Sequence, residues 1–499
     1  MDSAAVPFLD VAIIGYGPVG ELLANLLGQA GLSVLALERD GAPYHLPRAT
    51  QFDDEIMRVF QQAGLAEEIL PLTRQAIGMK FVDRNGRVLL DWPRPMQAGP
   101  QGWHASYRFH QPELDQVLRR GAKRWPTVEV RTRCEAYALD EGDSGITLRF
   151  EDLSSGKLER RTARYVVGCD GGRSLVRRFM GSELIDLGFH ERWLVVDCVL
   201  RRDRPDLGDY SVQFCDPVRS ATYVRGTGDR RRWEFAALPG EEAAELTRPE
   251  TVWRLLSRWI TLKDAVLERA TVYTFHSLLA ERWRAGRLMI AGDAAHQSPP
   301  FLGQGLCAGM RDAANLAWKL AAVVQGGASE ELLNTYESER LPHVREYIEL
   351  AVRLGGLINT TGTEAALGGR DDAAAGPARM SSIKPRLGPG LWHGASELVG
   401  RQAPQPALAD GTRFDEVTGA KFVLVLRMVS NLVSARAVLR LREAGVHIVA
   451  GAPEPLEMWL TEAGVEAALI RPDRYVMAVA RTESDLERML AMIPARVTG

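Results

Sequence analysis

The chain has 499 residues, 46% of them hydrophobic and 25% charged, with a formal net charge of -3. That length suits two or three domains with substantial cores, and the nearly balanced charge argues against nucleic acid as a partner. Cys134, Cys169, Cys198, Cys215 and Cys307 show no metal-ligand spacing, so no metal is expected, and no apolar run approaches the roughly 18 residues of a membrane span. The opening MDSAAVPFLD has Asp2 where a secretory leader has a basic cluster, and scattered thiols suit a reducing compartment, so a cytoplasmic protein is expected.

In chain order, Val11 to Asp40 reads strand, glycine turn, helix, strand. An apolar run to Ile14 stops at Gly15-Tyr16-Gly17-Pro18-Val19-Gly20. Leu22, Leu23, Leu26 and Leu27 then recur at helical spacing, and Val34 to Leu37 end on Glu38 and Arg39. Gly15 lets the chain turn tightly, Gly17 lets the backbone approach a pyrophosphate, and Gly20 lets helix and strand pack closely. The helix that starts at Pro18 offers free amides from Val19 onward to phosphate oxygens. Glu38 stands about 20 residues past the glycines, where a carboxylate accepts hydrogen bonds from an adenosine ribose. By itself this motif serves NAD and FAD alike.

The stretch EIMRVFQQAGLAEEIL carries one apolar helical face interrupted at Gly64, and residues 78 to 92 alternate around Asn85-Gly86 as a hairpin. A helix over QPELDQVLRRGAKRW leads into a meander that returns to the buried strand of ARYVVGCDGG, where Asp170-Gly171 can bring polar groups near a pyrophosphate. Strands dominate from Trp193 to Leu238, with a hairpin at Gly226-Thr227-Gly228. Trp233 and Phe235 are expected in the core, with Glu234 on the opposite face. A helix near ETVWRLLSRWI follows.

In RLMIAGDAAHQSPPFLGQG, Leu288 to Ala291 form a strand, Gly292 permits close approach, and Asp293 is placed to hold a sugar-like hydroxyl. Pro299-Pro300 stiffen the turn, Gly303 and Gly305 let backbone amides face a ligand, and a helix including Leu306 runs to about Val324. The positive end of that helix favours the anionic pyrimidine edge of a reduced flavin, an arrangement a nicotinamide does not need. FAD is therefore the expected cofactor. Residues 355 to 400, rich in glycine, alanine and proline, read as a wrap or linker. The remainder supplies strand, helix, strand, strand and helix without a cysteine.

These stretches, with LPRATQFDDEIMR, FHQPELDQVL, RRRWEF and YESERLPHVREYIELAVRLG, resemble the single-component flavoprotein aromatic hydroxylases of the hydroxybenzoate hydroxylase type. The resemblance is closest to 3-(3-hydroxyphenyl)propionate hydroxylases and covers about Asp10 to Gly355. It implies an α/β fold: a glutathione-reductase-type, Rossmann-like FAD-binding domain, an inserted mostly β substrate domain, and a C-terminal thioredoxin-like domain that is redox-silent. On that basis residues 1–77, 105–182 and 279–385 are assigned to the FAD-binding domain and 78–104 and 183–278 to the substrate domain. Residues 386–400 are assigned to a linker and 401–499 to the appended domain.

The resemblance further implies that Gly15, Gly17, Gly20, Glu38, Arg48 and Gln111 contact the adenosine and pyrophosphate side of FAD, with Pro18, Val19 and Arg39 beside them. Asp170 and Gly171 serve FAD and NAD(P)H, and Asp293, with Gly292, holds the ribityl chain. Pro300, Gly303, Gly305 and Leu306 lie along the flavin. The cycle implied is reduction of FAD by NADH or NADPH, addition of O2 to give a flavin C4a-hydroperoxide, and transfer of one oxygen to a phenol, with water kept out. At Gln51, Ser298 and Arg225 the chain departs from the family's pattern. The phenol expected is a small phenolic acid of the 3-(3-hydroxyphenyl)propionate kind. A polycyclic phenol or quinone of secondary metabolism and a catalytically silent flavin-binding regulator are the alternatives, and the chain is expected to act as a monomer or homodimer without a membrane.

Three side chains are candidates for catalysis. His296, three residues past Asp293, can assist proton movement, against the commoner reading of a loop histidine bonded to backbone. Tyr223 and Arg225 alternate on a strand of the substrate sheet, and Arg225 can pair with a substrate carboxylate, against the commoner reading of an exposed strand-end arginine.

Overall fold

The computed structural model describes residues 8–359, 377–392, 394–427 and 435–493. Leu9–Ile14 is the central strand of an eight-stranded sheet, parallel to Val34–Glu38 on one side and to Lys157–Gly168 on the other. Val128–Thr132 and Leu288–Ile290 extend the parallel order outward. Strands covered on both faces read as unbroken apolar runs, which is why VAII, VLAL and LMI carry no alternation. The helices Pro18–Gln29, Gln111–Ala122 and Gly305–Val324 pack against one another beside this sheet.

The carboxyl ends of these strands are stitched into one edge. Gly15 N–H donates to Leu37 O at 2.9 Å, Cys169 N–H to Ile14 O at 2.7 Å, and Ala291 N–H to Gly168 O at 2.9 Å. All three glycine-rich turns therefore open on the same side, the side where ligands of open α/β sheets bind.

A second sheet of nine strands joins Gly78–Asp83 and Val88–Pro93 to six strands between Leu184 and Gln297 on one side and to the edge strand Ala378–Arg379 on the other. The hairpins expected at Asn85-Gly86 and at Gly226-Thr227-Gly228 are both present. Tyr223, Trp233 and Phe235 pack outward under the helix Pro249–Leu256, and that buried face forces Thr222, Val224, Arg232 and Glu234 to the inner one. Glu234 thus takes the face opposite the core, as its position between Trp233 and Phe235 predicts.

Three short strands escape the sequence reading: Gln51–Asp53, Ser106–Arg108 and Arg74–Gln75 form a small antiparallel sheet. Runs of two or three residues carry no readable period. The helix beginning at Asn334 also continues to Asn359, past the point where the wrap was expected to begin. Gly355 is tolerated there because a Cβ would sit 2.5 Å from the Phe189 ring and 2.8 Å from Phe301, so the helix needs a glycine to pack against two aromatic rings. Residues 360–376 and 393 of the expected wrap lie outside the described residues.

The expected linker 386–400 is packed, with Leu387 N–H donating to Gly400 O at 2.9 Å and Gly388 N–H to Glu339 O at 2.9 Å. Beyond it, four strands stand in the order His447–Ala450, Val423–Leu426, Ala467–Ile470, Val476–Ala480, the first pair parallel and the others antiparallel. A helix missed in the sequence, Glu454–Glu462, follows the strand His447–Ala450, and its start is marked by Pro453 at the N-cap and Pro455 in the first turn. This unit is anchored through buried charge. Arg471 donates to both Glu339 oxygens at 2.7 and 2.9 Å, and Lys319 and Asn315 reach Glu339 at 2.7 and 3.0 Å.

Candidate active site

Space distinguishes the glycines of the first turn from one another. A Cβ at Gly15 would lie 2.5 Å from Cys169 O, and one at Gly20 would lie 2.2 Å from Gly15 O. A Cβ at Gly17 meets nothing within 4 Å. Gly15 and Gly20 are small because protein crowds them, whereas Gly17 borders open space at the start of the helix Pro18–Gln29, as a pyrophosphate needs. The Val19 side chain is instead packing: it fills the contact between Gly292 and Gly309, where added Cβ atoms would come within 3.0 and 2.6 Å of it.

Glu38 fixes the outer end of the turn. Its two carboxylate oxygens accept from Tyr16 N–H at 2.8 Å and Asp40 N–H at 2.9 Å, leaving further lone pairs on each oxygen. Arg39 is exposed and makes only a 4.0 Å contact with Asp40. Gln111 is buried and orients the next segment, its amide oxygen accepting from Arg48 N–H and Ala49 N–H, both at 3.0 Å. From the other side Arg232 donates to Arg48 O at 2.8 Å, while Arg269 donates to Pro47 O at 2.7 Å. Asp197 holds both guanidinium groups. Sequence reasoning missed this Arg232-Asp197-Arg269 clamp because its members come from three strands.

Asp170 caps the helix Leu175–Phe179, one oxygen accepting from Leu175 N–H at 2.6 Å while the other is buried without a partner. Gly171 has a φ of 76°, a left-handed turn beside it. Arg177 ties this loop to the Asp293 turn, donating to Gly172 O and Ala294 O at 2.8 Å each. Asp293 itself is surrounded by protein atoms, yet its side chain is accessible, because that surface belongs to an internal cleft and not to the exterior. Burial raises its carboxyl pKa, with His296 and Arg48 opposing, and it has no hydrogen-bond partner among the described residues.

The cleft has a volume of about 510 Å³ and lies between the Arg48–Gln51 segment, the turn from Asp293 to Leu306, and the inner face of the nine-stranded sheet. Pro300, Gly303, Gly305 and Leu306 line it, and the helix Gly305–Val324 starts there without a side-chain cap, so its first amides are free for an anion. Gln51 and Ser298, two of the positions that depart from the family pattern, also face it. A second cavity of about 820 Å³ adjoins it and shares Gln51, Trp92, Arg94 and Leu302.

None of the three catalytic candidates lines the cleft. His296 is 1% exposed, with Nε2 2.6 Å from Asp312 Oδ2 beneath the turn. Tyr223 packs against Trp233 on the outer face of the sheet. Arg225 donates to Gly226 O and Gly228 O and closes its own hairpin. Strand parity decides the last two, since both share the outward face.

In their place the cleft wall presents Glu234, Arg94 and Arg108. Neither Arg94 nor Arg108 has a carboxylate within ion-pair distance among the described residues. Burial pushes each guanidinium pKa down to about 10, and Arg94 adds to the effect on Arg108. Arg108 donates to Ser211 Oγ at 2.9 Å, and Arg94 to Ser382 Oγ at 2.8 Å.

An open glycine at a helix start, a carboxylate with spare acceptors at the second strand, and an unpartnered Asp293 inside a cleft fit the phosphates, ribose and ribityl chain of FAD. Residues 9–351 match the FAD binding domain family. A relative from Rhodococcus jostii (strain RHA1) bearing the name "Probable NADH-specific resorcinol 4-hydroxylase" is 38% identical over 98% of this chain and 95% of its own length. A 3-(3-hydroxy-phenyl)propionate/3-hydroxycinnamic acid hydroxylase of Burkholderia cenocepacia (strain HI2424) is 34% identical over 94% of this chain and 93% of its own length. Among solved structures, the flavin-dependent monooxygenase PieE in complex with FAD and substrate superposes with a TM-score of 0.84 at 21% identity, covering 98% of both chains. Aklavinone-11 hydroxylase with FAD and aklavinone superposes at 0.80, also at 21% identity. The chain belongs to the FAD binding domain family, among its flavin-dependent aromatic hydroxylases.

Proposed function

We propose that this protein uses NADH and O2 to hydroxylate a small phenolic acid at the cleft beside Asp293. FAD, when bound, supplies the reduction of oxygen and delivers one oxygen atom to the ring. The chain's own residues bind, orient and shield. Gly17 and the first turn of Pro18–Gln29 hold the pyrophosphate, Glu38 the ribose, and Asp293 a ribityl hydroxyl. The free amides at Gly305 and Leu306 steady the electron-rich pyrimidine edge. Gln111 acts on the cofactor through Arg48 and is a positioning residue.

The observation that carries the choice of an acid is the pair Arg94 and Arg108 on the cleft wall, the first half-buried and the second buried, neither with a carboxylate within ion-pair distance among the described residues. An uncompensated buried cation is costly, and a substrate carboxylate removes that cost while taking charge-assisted hydrogen bonds. The named relatives support a one-ring phenol, and NADH is the reductant in the name of the Rhodococcus relative. The strand order and absence of cysteine after Cys307 support a thioredoxin-like C-terminal unit without thiol chemistry. Five free thiols support a cytoplasmic location.

The test is a panel of phenols scored for stimulated NADH oxidation and, by mass, for a product one oxygen heavier. 3-(3-Hydroxyphenyl)propionate is expected to be used about tenfold more efficiently than neutral resorcinol, a difference on the order of one charge-assisted bond. Arg108→Met should erase that preference by raising the KM of the acid alone. Consumption of NADH without any oxygenated phenol defeats the proposal.

A further inference from the structure

The inner face of the nine-stranded sheet presents a row of side chains to the centre of the cleft: Val195, Glu234, Thr222 and Gln213 stand opposite one another on four adjacent strands. Two members of the row are occupied with each other or with backbone. Thr222 Oγ1 donates to Gln213 Oε1 at 2.7 Å, and Gln213 Nε2 donates to Ala221 O at 3.1 Å. Glu234 is different. It is 9% exposed, that exposure faces the cleft, and its carboxylate accepts no hydrogen bond among the described residues.

Serving as counter-charge to Arg232 is the plainer role for Glu234, and the geometry argues against it. Arg232 spends its donors on Asp197 Oδ1 at 2.7 Å and on the carbonyls of Pro47 and Arg48, and its approach to Glu234 is a 3.7 Å contact without a hydrogen bond. The carboxylate is therefore held near cations yet left with its acceptor lone pairs open toward the space a substrate ring would fill.

We infer that Glu234 is the proton acceptor for the substrate's phenolic hydroxyl, an assignment that rests on the hydroxylase reading above. The O–H bond of the phenol breaks, its proton passes to a carboxylate oxygen of Glu234, and the electron pair stays on the phenolate oxygen. The ring is thereby enriched in electrons for the oxygen transfer. The charged groups facing Glu234 are Arg232, Arg269 and Arg108, which favour its ionised form, and Asp197, which opposes it. Burial outweighs them and raises its pKa above the ordinary glutamate value, which brings proton affinity closer to that of a phenol.

The test uses the FAD-loaded enzyme with 3-(3-hydroxyphenyl)propionate and resorcinol as probes. Ultraviolet difference spectra of the bound phenol, taken from about pH 6 to 9, read its ionisation against the free value near 10. In the wild type the bound phenol should ionise at lower pH than in free solution. Glu234→Gln should keep the flavin spectrum and bind the probe within about threefold, leave the bound phenol neutral, and lower product formed per NADH about 100-fold. Glu234→Asp, a second variant should the first fail to fold, should lie between the two in both readouts. A Glu234→Gln or Glu234→Asp enzyme that ionises the bound phenol at the wild-type pH and forms product at the wild-type rate overturns the assignment. A wild type that hydroxylates no phenol overturns the functional reading instead, so the two failures are distinct.

Discussion

His296 Nε2 lies 2.6 Å from Asp312 Oδ2, and both side chains are buried beneath the turn that presents Asp293. Asp312 also accepts from Gly292 N–H at 3.1 Å and from Arg340 Nε at 3.0 Å. Burial alone raises the Asp312 pKa, but His296 and Arg340 outweigh it and hold the carboxyl below its usual range. The pair is thus a brace for the flavin turn. His296→Ala should cost about 2–4 kcal/mol of stability, as removal of one partner of a buried polar pair does. Denaturant unfolding of the variant checks the cost. The pH profile of hydroxylation by the surviving folded enzyme should keep its shape, and a lost limb would restore a proton-transfer role.

Asp293 stands just above that brace with a carboxylate that has no protein partner. Asp293→Ala should weaken FAD binding at least tenfold, equivalent to the roughly 1.5–3 kcal/mol of a hydrogen bond to a charged group. The apoprotein should melt at about the wild-type temperature, because the accessible Asp293 side chain has no hydrogen-bond partner to lose among the described residues. Fluorescence titration with FAD and thermal unfolding of the apoprotein measure the two effects separately.

Gly17 and Gly20 look alike in the sequence and should respond in opposite ways. Gly17→Ala adds a Cβ into open space at φ -87°, so apoprotein stability should hold while FAD affinity falls tenfold or more. Gly20→Ala drives a Cβ to 2.2 Å from Gly15 O and should destabilise the apoprotein by about 2–4 kcal/mol before any cofactor is added. Equal losses of stability in both variants would remove Gly17 from the phosphate cradle.

Asp115 lies buried beside Gln111, and burial pushes its pKa up to about 7 against the opposing influence of Gln111, Arg119 and Arg48. An acid raised on folding is protonated in the native chain while the unfolded chain already ionises it, so the contribution of Asp115 to native stability falls as pH climbs from about 4 to 7 and then levels off. Asp115→Asn should abolish that decline, making the variant more stable than the wild type near pH 8 by on the order of 3 kcal/mol and equal to it near pH 4. Urea unfolding across this range decides the matter, and parallel curves for the two proteins would contradict the shift.

Glu339 is fully buried at the junction with the C-terminal unit, where it receives Arg471, Lys319 and Asn315. The cations outweigh its burial and hold its pKa far below the ordinary glutamate value. Glu339→Gln strands the buried Lys319 and leaves Arg471 with Asp473 as its remaining ion-pair partner, and should cost about 3–5 kcal/mol. Limited proteolysis should then cut the chain near residues 386–400 faster than in the wild type, and an unchanged cleavage pattern would show that the anchor lies elsewhere.

Contiguous spacing made half of this protein readable in advance. Gly15, Gly17, Gly20 and Glu38, the helix ending at Val324, and the hairpins at Asn85-Gly86 and Gly226-Thr227-Gly228 follow from constraints that act within a few residues. So does the separation of Trp233 and Phe235 from Glu234, since a strand alternates its faces. The short strand at Ser106–Arg108 is too short to show a period, and the helix Glu454–Glu462 lies between the stretches from which the C-terminal elements were read.

The sequence by itself determined which cofactor the chain is built to hold, because the glycine turns that carry the signal have backbone conformations set locally. Only the tertiary structure decided which side chains line the cleft. Alternation separates the two faces of a strand without saying which one the neighbouring layer covers. Once the helix Pro249–Leu256 buries the face of Tyr223 and Trp233, Arg225 is turned outward with them and Glu234 inward, and Arg94 and Arg108 arrive from more than a hundred residues away to complete the wall.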